Sequence, residues 1–200
     1  FSRAFAELAQ TGSAEAVLIV SAACSPLATG ELMQRADAYD VHVSTGRYLE
    51  RCRRKTAVLF RAACELVALA AGEAPTSLGD FGEAIGLAFQ ILDDVLDVSG
   101  PPERTGKPQG ADLLDGTVTL PLIVARERDA GLAAVDLRTV THPERAQAIC
   151  ERISATGALE VARGQALELV AAAKSLLPAM ANGQGAALDL VADSVVERYA

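Results

Sequence analysis

The stretch GEAIGLAFQILDDVLDVSG, residues 82–100, places three carboxylates near the end of an otherwise apolar segment. Helical spacing puts Asp93 and Asp97 one turn apart on one face, with Asp94 beside them. Because burying an ionised carboxylate without a partner is very costly, these groups must contact water or cations. Mg²⁺ binds a few carboxylates together with waters and phosphate oxygens. The stretch therefore predicts a Mg²⁺-diphosphate site on a helix.

The alternative for this cluster is a hydrated polar patch at one end of a helix. Carboxylates near a helix C-terminus oppose the helix dipole, so they are mildly unfavourable there without a cation. This disadvantage favours the cation site. Gln90 lies one turn before the carboxylates on the same stripe, where its amide can hydrogen-bond a ligand bound on that face.

The composition indicates a helical protein with a substantial apolar core. Of the 200 residues, 50% are hydrophobic and only 4% are aromatic, and strong helix formers occur throughout. The formal net charge of −8 argues against a nucleic-acid partner, which calls for a basic face. The net charge does not exclude a phosphate ligand, because local clusters of charge matter more for binding than the net charge of the chain.

Cysteine usage and hydropathy indicate a cytoplasmic protein. The four cysteines are scattered without CxxC spacing, which predicts reduced thiols rather than zinc ligands or disulfides. The longest apolar stretch, residues 14–27, is too short and too interrupted to span a bilayer. No signal peptide is visible at the start of the sequence. We therefore expect a cytoplasmic location and no transmembrane segment.

Helical periodicity and capping signals run along nearly the whole chain, with no convincing strand alternation. Ser77 is expected to cap one helix, and Thr141-His142-Pro143-Glu144 matches a capping box that opens another. A Gly/Pro-rich loop fills residues 100–116. With no linker and no repeat, residues 1–200 are predicted to form one all-α domain, a helical bundle. The predicted helices cover residues 1–10, 13–28, 31–41, 45–71, 77–99, 118–130, 143–155, 157–180 and 184–199.

A basic cluster lies in the predicted helix 45–71, and its members are Arg47, Arg51, Arg53, Arg54 and Lys55. Positions 47, 51 and 55 share one face at i, i+4, i+8 spacing, and Thr56 adds a hydroxyl beside Lys55. Cations on this face can neutralise diphosphate oxygens that Mg²⁺ leaves uncovered. The arginines at 53 and 54 are expected to be a solvated face. Lys55 precedes an apolar run, which favours a ligand as its partner.

The Gly/Pro-rich loop contributes a third group of candidates. Lys107 and Asp112 lie in it, and Gly106 and Gly110 allow the backbone to approach an anion closely. A long loop beside a charged cluster is more often functional than idle. On its own, however, this loop is weak support for a site.

Together these residues match the pattern of a known family. GLAFQILDDVLD (86–97), followed by TGKPQGADLLDGTVTLPLI (105–123), resembles the second aspartate-rich region of trans-isoprenyl diphosphate synthases. Upstream, Lys55-Thr56-Ala57 is similar to the family's Lys-Thr-Ala. The resemblance extends over essentially all 200 residues, through Gly30-Glu31, SRAF at 2–5 and VVERYA at 195–200.

The resemblance implies a fold and a reaction. The fold is an all-α bundle around a deep central cavity, an isoprenoid-synthase-type bundle that usually forms a homodimer. In the reaction, an allylic diphosphate loses diphosphate, isopentenyl diphosphate attacks the resulting cation, and a proton is then lost. The products form the geranyl, farnesyl, geranylgeranyl and polyprenyl diphosphate class. The cofactor implied is Mg²⁺, with Mn²⁺ as a possible substitute, and it polarises the leaving group.

The resemblance also assigns metal-binding roles. Asp93 and Asp97 would contact Mg²⁺ directly or through water. Asp94 would lie behind them, and Asp112 would hold metal-bound water. In this family the leaving diphosphate can itself accept the proton, so no general base is named.

Substrate-binding roles follow in the same way. Lys55 and Lys107 would hold the allylic diphosphate, while the oxygens of Thr56 and Gln90 would face the developing cation. Phe89 would pack near the isopentenyl group. Lys55, Thr56, Gln90 and Asp93 are therefore the residues that the resemblance places closest to the chemistry.

The family pattern includes a first aspartate-rich motif and an arginine pair upstream of SRAF, and this sequence contains neither. We therefore expect the N-terminal helices of the domain to be missing and the 200-residue chain alone to be inactive.

Three alternatives stay open. A non-catalytic regulatory subunit or degenerate homologue would account for the missing motif, although it has no physical need for the DDVLD, Lys55, Thr56 and Lys107 groups. A class I terpene cyclase would ionise a diphosphate in the same way, but such enzymes are usually rich in aromatics, and this chain has no Trp. A purely structural bundle leaves the grouped carboxylates unexplained.

Overall fold

The computed structural model describes residues 2–101, 106–178, 180 and 183–197. These residues form an all-α architecture, and no strand occurs among them. A π-helical turn covers Arg53–Ala57, and a short 3₁₀ turn covers Leu137–Thr139. The helices are α1 Ser2–Gln10, α2 Ala14–Ala36, α3 Thr45–Cys52, α4 Val58–Ala70, α5 Thr76–Ser99, α6 Ala111–Leu114, α7 Leu120–Arg128, α8 Ala130–Ala133, α9 Pro143–Ala155, α10 Ala158–Ser175 and α11 Gln184–Glu197.

Helix α2 is continuous through the point where the sequence predicted a break between residues 28 and 31. The prediction was wrong because Gly30 serves close packing rather than termination. A Cβ built on Gly30 would lie 2.6 Å from the backbone nitrogen of Lys55. Only a residue without a side chain therefore lets α2 approach the π-helical turn this closely.

Because α2 is continuous, the helix is longer than the apolar stretch 14–27 identified in the sequence. By length and composition, it is the one helix in the described part of the chain that is long and apolar enough to cross a membrane. The expectation that this segment is too short to span a bilayer is therefore wrong on length. Such a test is weak support for a membrane span, because core helices of globular proteins also pass it.

The predicted helix 45–71 is helical throughout but carries one irregular turn. The N–H of Val58 donates to the carbonyl of Arg53, which is the i→i+5 bond of a π-helix. Helices α2, α4 and α5 all pack against this turn. π-Helical turns inside α-helices often occur at functional sites, and this one carries Lys55 and Thr56.

Helix α5 is the central element, packed between α4 and α10. Its residues Ala88 and Ile91 are completely buried. Gly86 allows close packing against the π-helical turn, because a Cβ there would lie 2.7 Å from the Cα of Ala57. The helix ends at Ser99, as predicted, and its aspartates lie in its last two turns.

Several predicted helix boundaries need correction. Helix α5 begins at Thr76 after Pro75, so Ser77 lies inside the helix instead of capping it. At α9 the cap position is occupied by His142, which makes no side-chain capping bond, and Pro143 takes the first helical position. The predicted helix 118–130 is divided into α7 and α8, and part of the predicted loop forms α6. The last residues of VVERYA lie outside the described residues.

Candidate functional site

A cavity of about 270 Å³ lies where the π-helical turn, the C-terminal half of α5 and the segment 112–119 meet. One side of it is acidic, and the other side carries basic and hydroxyl groups. Its lining residues are Gln34, Arg51, Cys52, Lys55, Thr56, Gln90, Asp93, Asp94, Asp112, Thr117 and Thr119. Six predicted site residues therefore share one cavity, although they come from three separate parts of the sequence.

A chain of hydrogen bonds runs through the acidic side. The hydroxyl of Tyr48 donates to Oδ2 of Asp94 over 2.6 Å, and Nε2 of Gln90 donates to Oδ1 of Asp94 over 2.8 Å. The hydroxyl of Thr56 then donates to Oε1 of Gln90 over 2.6 Å. Both carboxylate oxygens of Asp94 are thus occupied by donors from the protein.

Burial is the main influence on the pKa values of Asp94 and Tyr48. Desolvation raises the pKa of Asp94 to about 6, against the opposing effect of its hydrogen bonds from Tyr48 and Gln90. Burial, together with the neighbouring Asp94 charge, raises the pKa of Tyr48 well above its ordinary value. The phenol therefore keeps its proton at every physiological pH and acts only as a donor to Asp94.

Asp97 fastens the Gly/Pro-rich loop back onto α5. Its backbone carbonyl accepts a hydrogen bond from the N–H of Gly110 over 2.9 Å, and its Oδ2 accepts one from the N–H of Asp112 over 3.2 Å. The side chain of Gln109 also donates to the carbonyl of Val98. These bonds bring Asp112 beside the aspartates of α5.

The grouping of Asp94, Asp97 and Asp112 makes their ionised forms unfavourable, because the carboxylates are buried and repel one another. Burial and the charges of Asp94 and Asp97 raise the pKa of Asp112 to about 8. Burial also raises the pKa of Asp97, while the charge of Lys107 opposes the rise at both carboxylates. A cation bound beside them would relieve this repulsion, so the donor set fits a hard divalent metal ion.

The carboxylates do not enclose a metal ion on their own. No group of three or more His, Cys, Asp or Glu side chains converges on one metal position within the described ranges 2–101 and 106–197, apart from the few positions left out. An ion here would take its remaining ligands from water or from phosphate oxygens, which is the coordination that Mg²⁺ usually has in proteins.

The basic side of the cavity is held against α2. Nζ of Lys55 donates to Oε1 of Gln34 over 2.8 Å and lies 3.1 Å from Oε2 of Glu31. The hydrogen bond and charge of Lys55 lower the pKa of Glu31. Lys55 thus has a charged protein partner at the rim of the cavity, where the sequence alone favoured a ligand.

The predicted basic face is only partly directed at the cavity. Arg51 is buried and lines it, and its Nη2 donates to the carbonyl of Val118 over 2.5 Å. Among the described residues its Nη1 has no hydrogen-bond partner. Arg47 instead forms a bidentate pair with Asp37, at 3.0 to 3.2 Å, and does not line the cavity.

The arginines at 53 and 54 confirm the expectation of a solvated face. Each is partly exposed and pairs with Glu50, at 2.9 Å for Arg53 and 2.6 Å for Arg54. Such pairs contribute little to stability.

Three predicted site residues stand outside the cavity lining: Phe89, Asp97 and Lys107. The Phe89 ring packs on Phe60, with ring centroids 5.3 Å apart. Asp97 faces the loop, and Lys107 is exposed but close enough to act on the charges of Asp97 and Asp112.

The sequence did not indicate Tyr48, Thr117 or Thr119 as residues of the site. Tyr48 has no exposed surface and lies on α3, and Thr117 and Thr119 are buried in the segment before α7. The available signal for Tyr48 was general: a buried tyrosine hydroxyl usually has a hydrogen-bond partner. Nothing in the sequence shows that the partner is Asp94, 46 residues away.

Comparison with known proteins identifies the family of this chain. The family model for polyprenyl synthetases matches residues 1–156, which include the cavity-lining residues. This chain belongs to the polyprenyl synthetase family. The resemblance noted in the sequence is thereby confirmed, and so is the all-α isoprenyl synthase fold.

Individual relatives show how far the likeness extends. The chain is 40% identical over 139 residues to heptaprenyl diphosphate synthase component 2 of Geobacillus stearothermophilus, covering 68% of this chain and 43% of the relative. It is 33% identical to a short chain isoprenyl diphosphate synthase of Methanothermobacter thermautotrophicus, covering 99% of this chain and 64% of the relative.

Solved structures of the family superpose closely on this fold. A polyprenyl synthase from Caulobacter crescentus, complexed with calcium and isoprenyl diphosphate, gives a TM-score of 0.91 at 35% identity. A decaprenyl diphosphate synthase from Rhodobacter capsulatus gives 0.86 at 31% identity. Both matches cover 100% of this chain and 64% of the other, so the chain spans less than two thirds of the length of these relatives.

Proposed function

We propose that this chain supplies one wall of the active site of a trans-prenyltransferase. The enzyme would condense isopentenyl diphosphate head-to-tail with an allylic diphosphate to give a longer trans-prenyl diphosphate. The observation that supports this function is the meeting of Lys55, Thr56 and Gln90 with the aspartate cluster around one cavity. These groups combine anion binding, cation binding and a dipole aimed at positive charge, which are the three requirements of diphosphate ionisation.

Each step of this reaction uses side chains of the cavity or of the adjacent loop. Lys55, and Lys107 from the loop, bind the diphosphate of the allylic substrate. When its C–O bond breaks, the bonding electrons leave with the diphosphate, and the oxygens of Gln90 and Thr56 face the remaining allylic cation. The double bond of isopentenyl diphosphate then forms the new C–C bond, and the departing diphosphate accepts the proton that is lost.

Asp93, Asp97 and Asp112 are the proposed metal-binding side chains, while Asp94 orients Gln90. Asp93 is only half-buried and lines the cavity, so it is the carboxylate best placed to reach a bound ion. Mg²⁺, when bound, would neutralise charge on the leaving diphosphate. The Caulobacter relative was solved with calcium, another hard divalent ion that prefers oxygen ligands.

We further propose that residues 1–200 act as part of one domain in a cytoplasmic dimer. Large exposed apolar side chains on α2 support an interface, because Leu18 and Leu32 are 68% and 67% exposed. The partner is a second copy of the chain or, as the name of the Geobacillus relative suggests, a different component. Size-exclusion chromatography with light scattering distinguishes these from a monomer.

The function is tested by Mg²⁺-dependent incorporation of labelled isopentenyl diphosphate into prenyl diphosphates with several allylic primers. The protein should include any coding sequence upstream of Phe1, and the 200-residue chain is assayed beside it, with little activity expected. Asp93→Ala is expected to lower turnover by about 100-fold or more.

Asp80→Ala is the matched control on the same helix. Asp80 is exposed and pairs with Arg61 over 2.8 Å at the far end of α5, so turnover should stay within about twofold. Unchanged turnover in Asp93→Ala would refute the site assignment. Absence of incorporation by the wild-type protein with every primer would refute the proposed function.

A further inference from the structure

Tyr48 connects α3 to the aspartate cluster through a single hydrogen bond. Its hydroxyl is 2.6 Å from Oδ2 of Asp94, and the whole residue is buried, with 0% exposure. The guanidinium carbon of Arg51 lies over the Tyr48 ring, 5.5 Å from its centroid. The phenol is therefore held between a cation over its ring and a carboxylate at its hydroxyl, which leaves it little freedom to rotate.

The hydrogen bond from Tyr48 matters because Asp94 is also bonded to Gln90. Asp94 accepts from Nε2 of Gln90, and this acceptor fixes which end of the Gln90 amide faces Thr56. A flipped amide would place its carbonyl oxygen against the carboxylate of Asp94, where two acceptors repel each other. The carbonyl oxygen of Gln90 consequently faces the Thr56 side of the cavity only while Asp94 stays in its present orientation.

We propose that Tyr48 is a positioning residue, which holds the Asp94 carboxylate so that the Gln90 carbonyl oxygen stays directed at the reacting centre. Tyr48 does not line the cavity, so it acts through Asp94 and Gln90 without contacting substrate. This inference rests on the proposed function, since the orientation of Gln90 has a consequence only if positive charge develops beside it.

The competing explanation is that Tyr48 is a core aromatic whose hydroxyl happens to be satisfied. On that view its removal would weaken the fold and all properties of the site together. The two explanations differ in whether the effect of Tyr48 depends on Gln90. A double-mutant cycle between the two positions measures that dependence directly.

The kinetic arm uses Tyr48→Phe, Gln90→Leu and the double variant in the complete protein. Tyr48→Phe is expected to lower kcat by about tenfold, with KM for the allylic diphosphate within about twofold, because the hydroxyl affects the transition state more than ground-state binding. In the Gln90→Leu background the same substitution should change kcat by less than about twofold. Equal losses in both backgrounds would overturn the proposal.

The structural arm needs neither metal nor turnover. The side-chain amide resonances of the protein are followed by NMR with ¹⁵N-labelled glutamine, and the Gln90 pair is assigned by its loss in Gln90→Leu. Tyr48→Phe should shift or broaden the Gln90 pair selectively. Tyr39→Phe is the control, because the Tyr39 hydroxyl makes no hydrogen bond to the described residues.

The two arms separate the possible failures. An unchanged Gln90 resonance in Tyr48→Phe overturns the positioning role, whatever the kinetics show. If the Gln90 resonance responds but the wild-type protein forms no prenyl product, the hydrogen-bond chain stands and the proposed function fails, together with the catalytic part of this inference.

Discussion

Replacing Gly30 by alanine tests the close contact between α2 and the π-helical turn. The added Cβ would lie 2.6 Å from the backbone nitrogen of Lys55, 2.9 Å from its Cα and 3.0 Å from the carbonyl carbon of Arg54. All three are backbone atoms, so no flexible side chain can move aside. The helices must separate, or the turn must change shape.

The expected magnitude follows from two opposing contributions. Overpacking a well-packed site costs about 1–3 kcal/mol, and the clash with three backbone atoms places Gly30→Ala in the upper part of this range. Replacing glycine by alanine inside a helix contributes about 1 kcal/mol of stability in the opposite direction. The net loss should be about 1–2 kcal/mol, which corresponds to a decrease in Tm of about 2–8 °C for a chain of this size. Because the turn carries Lys55, the binding of inorganic diphosphate should weaken as well.

Thermal unfolding followed by circular dichroism measures the effect, with Gly164→Ala as the matched control. Gly164 also lies inside a helix, α10, but a Cβ there would meet nothing within 4 Å. This control should raise stability by up to about 1 kcal/mol, since only the helix propensity changes. If Gly30→Ala raises Tm in parallel with Gly164→Ala, the proposed contact is wrong.

Three further predictions concern ionisation, the core and the surface. Burial raises the pKa of Asp112 to about 8, far above its unfolded value near 4, so its protonated form favours folding. The free energy of unfolding of the metal-free protein should therefore decrease as pH rises from about 4 through about 8. Mg²⁺ binding should release protons, and calorimetry in buffers of different ionisation enthalpy measures this release. Constant stability over that range would contradict this. Ile91→Ala, at a fully buried position, should cost about 2–5 kcal/mol in urea unfolding. Arg53→Ala, on the exposed face, should cost less than about 1 kcal/mol in the same assay; a reversed order would contradict both.

The sequence predicted the helical fold well because the signals were local and repeated. The apolar periodicity of residues 76–99 and the stop at Ser99-Gly100 are properties of the chain itself, and α5 has these bounds within a few residues. Gly30 was misjudged because a glycine that ends a helix and one that admits a neighbouring backbone look alike in a sequence. The difference depends on Lys55, which lies 25 positions further along the chain.

The site was predictable to the extent that its residues have unusual types for their surroundings. The aspartates, Lys55 and Gln90 stand out in apolar helices, and the cavity brings most of them together. Tyr48 could not be selected, because a tyrosine in a helix is ordinary and its partner is determined by packing. The pairing of Lys55 with Glu31 and of Arg47 with Asp37 likewise depends on how α2 lies against its neighbours.

The π-helical turn has a consequence for how this region tolerates change in chain length. One extra residue in a helix rotates everything beyond it by about 100°. The extra residue in the turn therefore rotates the segment that carries Phe60 about the helix axis, relative to the segment that carries Tyr48 and Arg51. Deleting any residue between 53 and 57 would restore a regular α-helix and turn one segment away from its partners. We expect a single deletion there to be far more damaging than any single substitution, and sequences that keep this cavity should keep the count of residues between Tyr48 and Phe60.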